Sequence, residues 1–428
     1  MVSERANWVG CVTMYVFSPY PFRFFWVTQY MVTTLLPTSA MGYNVPFDDI
    51  NVILDDLTYK SDWESVRSLS QTCKVLVDPC QKCLFNMIAV HQTTISQLYS
   101  VLANHPSLVS YVLHLHYYTD GECDTCTHIL LLQSFFQLQS LHITSDRSDK
   151  GTDWNLMPEE LQEQLIQLLR LPSLESLSLT CILSWPVSLF ANCNNLCQLQ
   201  VGALGLDATN PMTFTSPPFP PACQPKMLSI GTSTFYSLDH LLTVKWPDGN
   251  SVIDLSLITV LHDHLIHVPI EKLAAICGTQ LEIFYFAGRL TLFSYIQFPT
   301  KLLDFDHFRL LAHSNMFKAL CMMIRNAHWN DFWLPTECIP SIEEIYLMTQ
   351  PSGTRAIKIE HVLPWLKPEV FPALRTFITY QTYGVNSAVV LQLPFINGPA
   401  TFKMRSIKDT DEFWAIVCSA TGFSNFDF

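Results

Sequence analysis

The chain has 428 residues, of which 49% are apolar and only 14% charged, and its formal net charge is −13. That apolar fraction excludes a disordered polymer and allows most of the chain to bury a core. The 24 Lys and Arg residues are spread thinly and form no cluster. Duplex nucleic acid and anionic membrane surfaces are both held by concentrated positive charge, so neither is an expected partner.

The length suggests two or three units, or one elongated array. A mean hydropathy of +0.21 fits many short strands, each buried on at least one face. The 14 Cys lie among apolar neighbours, as in Leu196-Cys197-Gln198-Leu199, and read as small core residues rather than a disulfide framework. No Asn-x-Ser/Thr acceptor occurs. Together these features predict a reducing, intracellular compartment, cytoplasmic or nuclear.

Residues 1–40 form an apolar extension of uncertain status. Pro19, Pro21, Arg23 and Gln29 interrupt Trp8 to Leu36 before a clean spanning length accumulates. Glu4 beside Arg5, with no tidy cleavage site, makes a poor signal peptide. Three readings stay open: a membrane anchor, a packed N-terminal segment, and a non-native extension ahead of a start at Met41.

The first clear unit spans residues 41–90. Val45-Pro46 precedes Asp48 and Asp49, and Ile50, Ile53, Leu54 and Leu57 then recur at helical spacing. Proline and acids both suit a first helical turn. Ser61-x-x-Glu64 reads as a capping box for a second helix, with Val66, Leu69, Cys73 and Leu76 on one face. Asp78-Pro79 predicts the start of a third helix running through Cys83, Leu84 and Met87.

These residues resemble an F-box, and most closely the F-box-like segments of basidiomycete fungi. The likeness rests on Val45-Pro46, the acidic turn, the stripe from Ile50 to Leu57, Ser70-x-x-Cys73 and Leu84-Phe85. It implies that Pro46, Ile50, Ile53, Leu54 and Leu57 pack against a Skp-family adaptor of a cullin–RING ubiquitin ligase. Val45 stands where the family has Leu, and the closing Trp is absent. The residues also allow the same stripe to be only the core of a helical cap, because a buried face reads alike whichever chain covers it.

Beyond residue 90 the period changes. Ile95, Leu98, Tyr99 and Leu102 predict a helix ending at Asn104-His105-Pro106, and Leu108 to Leu115 predicts a strand. The piece L-x-x-L-x-L then recurs, mostly after a turn residue. Copies begin at Leu138, Leu174 and Leu196, with degenerate ones at Val252, Leu281, Ile342 and Leu374. Such copies mark leucine-rich-repeat strands, which bury alternate residues and must stack because one unit cannot cover its own apolar side. Pro158 to Arg170 predicts an intervening helix with Leu161, Leu165, Leu168 and Leu169 on one face. The expected fold is α/β: a leucine-rich-repeat-like solenoid of parallel strands plus helices over residues 91–428, preceded by the three-helix F-box-like segment. A non-repeating α/β fold is the competing architecture. The resemblance extends here through Pro172 to Leu179 and Phe371 to Arg375. A proline-rich loop is expected at residues 210–226.

Motifs for chemistry are sparse. Cys80-x-x-Cys83 and Cys123-x-x-Cys126 have zinc-like spacing but lie far apart, and fit better as helix-packing residues and exposed loop thiols. His262-Asp263-His264 with His267 reads as a turn, and Asp304, Asp306 and His307 as the flanks of a short strand at Leu302–Phe305. Trp246, Trp329, Trp333 and Trp365 read as core or groove aromatics. No metalloprotease, hydrolase-elbow or nucleotide-loop motif occurs. No catalytic residue, metal ligand or cofactor is expected. The expected function is a non-catalytic protein-interaction adaptor for a Skp-family protein and an unknown protein substrate; the alternative is a repeat scaffold with no ligase link.

Overall fold

The computed structural model describes residues 47–59, 62–72, 74–119, 125–145, 151–207, 222–231, 241, 244–246, 248–263, 280–289, 319–325, 342–350, 369, 371–382, 390–391 and 401–407. Contacts divide the chain into two compact units, one ending at Leu174 and one beginning at Glu175.

The first unit begins with three helices, α1 (Phe47–Tyr59), α2 (Trp63–Thr72) and α3 (Lys74–Phe85). Leu54, Val66 and Cys80, one from each helix, are the buried centre, with Ile50, Leu57, Leu69, Leu76, Cys83 and Leu84 packed around them. The cap of α2 is Asp62: its carboxylate accepts from the Ser65 backbone N–H at 3.2 Å and from the Ser65 hydroxyl at 2.7 Å. The expected cap, Ser61, lies outside the described residues. The predicted start of the third helix at Asp78-Pro79 is corrected, because α3 already begins at Lys74 and holds Pro79 inside it. Pro79 deprives the Val75 carbonyl of its helical partner, and Val75 is an exposed residue. Met87 leaves the helix for a strand, because Phe85, Ile88 and Val90 bury at strand spacing.

The unit continues with β1 (Met87–Val90), α4 (Ile95–Asn104), a 3-10 turn at Pro106–Tyr111, β2 (His114–Tyr118), α5 (Thr125–Leu132), β3 (Ser140–Thr144), β4 (Thr152–Asp153), a 3-10 turn at Trp154–Leu156, and α6 (Glu159–Leu169). The strand expected over Leu108 to Leu115 therefore starts later. Pro106 removes a backbone donor and favours the 3-10 turn. β1, β2 and β3 are neighbouring parallel strands. Their buried residues follow one rule, an apolar residue three places ahead of a strand pair: Phe85, Ile88, Val90; Val112, Leu115, Tyr117; Leu138, Leu141, Ile143. α6 buries Leu161, Leu165, Leu168 and Leu169, as its spacing predicts.

The second unit holds β5 (Ser176–Thr180), β6 (Ile182–Leu183), β7 (Trp185–Pro186), a 3-10 turn at Val187–Asn192, β8 (Gln198–Gly202), β9 (Leu206–Asp207), β10 (Met227–Ile230), β11 (Val260–Asp263), β12 (Ile283–Arg289), β13 (Ala319–Arg325), β14 (Glu344–Gln350), β15 (Thr376–Thr382), β16 (Val390–Leu391) and β17 (Thr401–Ile407). Parallel pairing runs β5-β8-β10-β11-β12-β13-β14-β15-β17, and β16 adds antiparallel to β17. The register repeats without slippage: Leu177, Leu199, Leu228, Leu261, Phe284, Leu320, Ile345, Phe377 and Phe402 occupy one continuous row.

A recurring hydrogen bond starts these strands. One carbonyl accepts from two successive N–H groups of the next strand: Glu175 from Cys197 and Gln198, Cys197 from Lys226 and Met227, Lys226 from Thr259 and Val260, Thr259 from Glu282 and Ile283, and Glu343 from Arg375 and Thr376. In the first unit Asn86 serves Leu113 and His114 in the same way, and Leu113 serves Gln139 and Ser140. The fold is thus mixed α/β, with a repeat-like parallel sheet plus helices.

Three expectations change. The copy at Val252 is not a sheet strand: Ile253 makes only an isolated bridge to Cys223, Leu257 is exposed, and β11 begins at Val260. His262 and Asp263 belong to β11 rather than to a turn. Of the loop expected at 210–226, residues 210–221 lie outside the described residues, whereas Cys223 and Pro225 are buried just ahead of β10. Among the described residues, no helix is long and apolar enough to cross a membrane.

Candidate functional site

The stripe predicted to meet an adaptor is divided by the packing of α1. Leu54 is only 2% exposed and sits at the centre of the helical core, with Ile50 and Leu57 half-buried against it. Ile53 lies on the opposite margin of the stripe, because successive helical residues turn by about 100°. It is 47% exposed, and its neighbour Val52 is 67% exposed. Asp55 and Asp56 beside them are exposed too. Pro46 lies outside the described residues. The structure therefore brings Ile50, Leu54 and Leu57 together in a core and leaves Ile53 with Val52 at the surface. Val52 was not among the expected residues. Its signal was its place next to Ile53, off the apolar stripe of a helix whose partners cover only one side.

A second surface is the non-core face of the strands. In the first unit it carries His114, His116 and Tyr118 from β2 and Ser140, His142 and Thr144 from β3, all half-exposed. His91, just past β1, stacks on Tyr118 with ring centroids 3.7 Å apart. In the second unit β5 and β8 present Ser176, Thr180, Gln198 and Gln200 at corresponding positions, half-exposed, with Ser178 buried. On β2, β3, β5 and β8 this face is polar and carries no formal charge, so it suits hydrogen-bonded protein contacts. Sequence reading passed over the imidazoles, although His114-x-His116 on a strand is enough to place both on one face.

Beneath the sheet, Tyr117 and His128 of α5 are buried, and Tyr117 Oη lies 2.8 Å from His128 Nδ1. On the surface Lys82 Nζ pairs with Asp78 at 2.9 Å and lies over the Tyr111 ring, and the Tyr111 hydroxyl donates to Asp78. That hydroxyl, then Lys82, holds the Asp78 carboxyl below the usual carboxylate range. These groups join α3 to the 3-10 turn after α4.

Among the described residues, the other chemical candidates do not converge. Cys80 is buried in the helical core and Cys83 is half-buried. Cys126 is exposed at the start of α5 rather than in a loop, and Cys123 lies outside the described residues. Burial pushes the Cys223 thiol up to about 12 and the Cys193 thiol higher still, which marks both as inert core groups. Trp246 is buried. His264, His267, Asp304, Asp306, His307, Trp329, Trp333 and Trp365 lie outside the described residues. Among the described residues, no group of three or more His, Cys, Asp or Glu side chains is placed to hold a metal.

No family model matches the chain, and no curated protein matches it, so the basidiomycete family has no support of that kind. Among solved structures it is similar to the crystal structure of the Rad7 and Elc1 complex in yeast, at a TM-score of 0.36 and 12% identity, over 78% of this chain and 84% of that one.

Proposed function

We propose that the chain is a non-catalytic protein-interaction adaptor. In this reading α1 offers Ile53 and Val52 to a Skp-family protein, and the strand face of a leucine-rich-repeat-like solenoid receives a protein substrate. The observation that carries it is the exposed apolar pair on α1, a helix whose own core needs only the other side. Residues that the head does not use for its stability are the ones free to serve a partner. Contact of Pro46, Ile50, Leu54 and Leu57 with the adaptor becomes secondary: the last three act mainly by holding α1 in place.

The test is capture of a purified Skp-family protein by the full chain. The wild type binds, and Val52→Asp and Ile53→Asp each weaken capture at least tenfold, because a buried unpaired carboxylate at an interface costs more than about 1.4 kcal/mol. Failure of the wild-type chain to bind removes the ligase link.

The scaffold reading keeps one observation in its favour: most of the α1 stripe already serves the helical core. Under it, the two aspartate variants change nothing that a partner would report.

A further inference from the structure

β2 and β3 bring two imidazoles together in a way the adaptor reading does not use. β2 buries Leu115 and Tyr117, so His114 and His116 leave on the other face. β3 buries Leu141 and Ile143, so His142 leaves on that same face. Parallel register sets His116 directly opposite His142. Their ring centroids lie 4.8 Å apart with the planes at 60°.

Imidazole is a preferred ligand of zinc, copper and nickel. A metal–nitrogen bond of about 2.0–2.1 Å places each ring centre about 3.2 Å from the ion, so two imidazoles at tetrahedral to square angles have centres about 4.5–5.2 Å apart. The His116–His142 separation falls inside that range. Edge-on ring packing alone gives similar distances. What distinguishes this pair is that backbone register fixes both rings on one half-exposed face, with His114 two residues along the same strand. The broad second torsion of histidine lets each ring turn to offer a nitrogen.

We propose that His116 and His142 chelate one divalent first-row transition cation at the surface of the sheet, with water completing its coordination. Only two protein ligands take part, so the site is open and exchangeable. Binding is lost on acidification because the ligand nitrogens must be unprotonated.

The probe is Ni²⁺ alone, titrated calorimetrically into the full chain under a non-chelating reductant. One site is expected whose affinity falls at least tenfold in His116→Ala and in His142→Ala and is unchanged in His105→Ala, which alters an exposed histidine outside the pair. Should either alanine variant lose its folded circular dichroism, His116→Gln and His142→Gln provide the same comparison. Affinity within twofold of wild type in either folded variant, or an equal loss in His105→Ala, overturns the proposal.

Discussion

Tyr117 and His128 meet edge to face in the interior of the first unit, 2.8 Å apart at Oη and Nδ1, and each is only 1% exposed. One sits on the core side of β2 and the other on α5, so the contact ties sheet to helix. Removing a partner from a buried polar group costs about 1–3 kcal/mol. Tyr117→Phe should therefore lower the unfolding free energy by that amount, read as a lower urea midpoint at an unchanged unfolding slope. An unaltered midpoint would mean that the pair contributes nothing.

Leu54 and Ile53 are adjacent in sequence and should behave oppositely. Leu54→Ala opens a cavity between α1, α2 and α3 and should cost about 2–5 kcal/mol. Ile53→Ala removes a side chain that is half in solvent and should stay within about 0.5–1 kcal/mol. Thermal unfolding of the two variants side by side checks this. Equal losses would show that Ile53 is packed as deeply as Leu54.

Gly231 follows β10, and its N–H donates to the Val201 carbonyl at 2.6 Å. A methyl group there would lie 2.9 Å from the Gly202 backbone, whereas one at Gly202 meets only the Thr180 side chain at 3.5 Å. Gly231→Ala should then cost about 1–3 kcal/mol through forced separation of the strands, and Gly202→Ala much less. The comparison reads the close approach of β8 and β10 directly.

Asp78 gives a pH signature. Its carboxyl titrates lower in the folded chain than in the unfolded one, because the Tyr111 hydroxyl and Lys82 favour the charged form. Its contribution is complete above the ordinary carboxylate value near about 4 and is lost as pH falls through the depressed value. Asp78→Asn should be less stable than wild type at neutral pH, and the gap should close in strong acid. A gap that persists there would assign the loss to something other than the carboxylate. The site is fully exposed, so the effect is small.

The strands were legible where leucine or isoleucine opens the pattern. Leu138, Leu174, Leu196, Leu281, Ile342 and Leu374 each lead into the strand that their spacing predicts. The same pattern was hidden where another residue takes the first place: Phe85 before β1, Val112 before β2, Pro225 before β10. Proline there reads as a loop in sequence, yet it needs no backbone donor at that point because Lys226 and Met227 supply the recurring pair of N–H groups. Val252 failed in the other direction: its apolar spacing is right, but Asp254 accepts from the Ser256 N–H and turns the chain before a strand can form.

The head was legible as three helices but not in its divisions. Nothing in the spacing of Ile50, Ile53, Leu54 and Leu57 says which margin of the stripe the neighbouring helices will cover. That is a tertiary fact, and it alone separates Leu54 from Ile53. The imidazole row was open to sequence reading only in part. His114-x-His116 gives a face, but His142 joins it through strand register, which no local pattern specifies.

Amide hydrogen exchange on the full chain, with and without a purified Skp-family protein, tests the adaptor account most directly. The account predicts slowed exchange across Phe47–Tyr59, centred on Val52 and Ile53, with the strand face unchanged. Exchange in that helix that is indifferent to the added protein would contradict it.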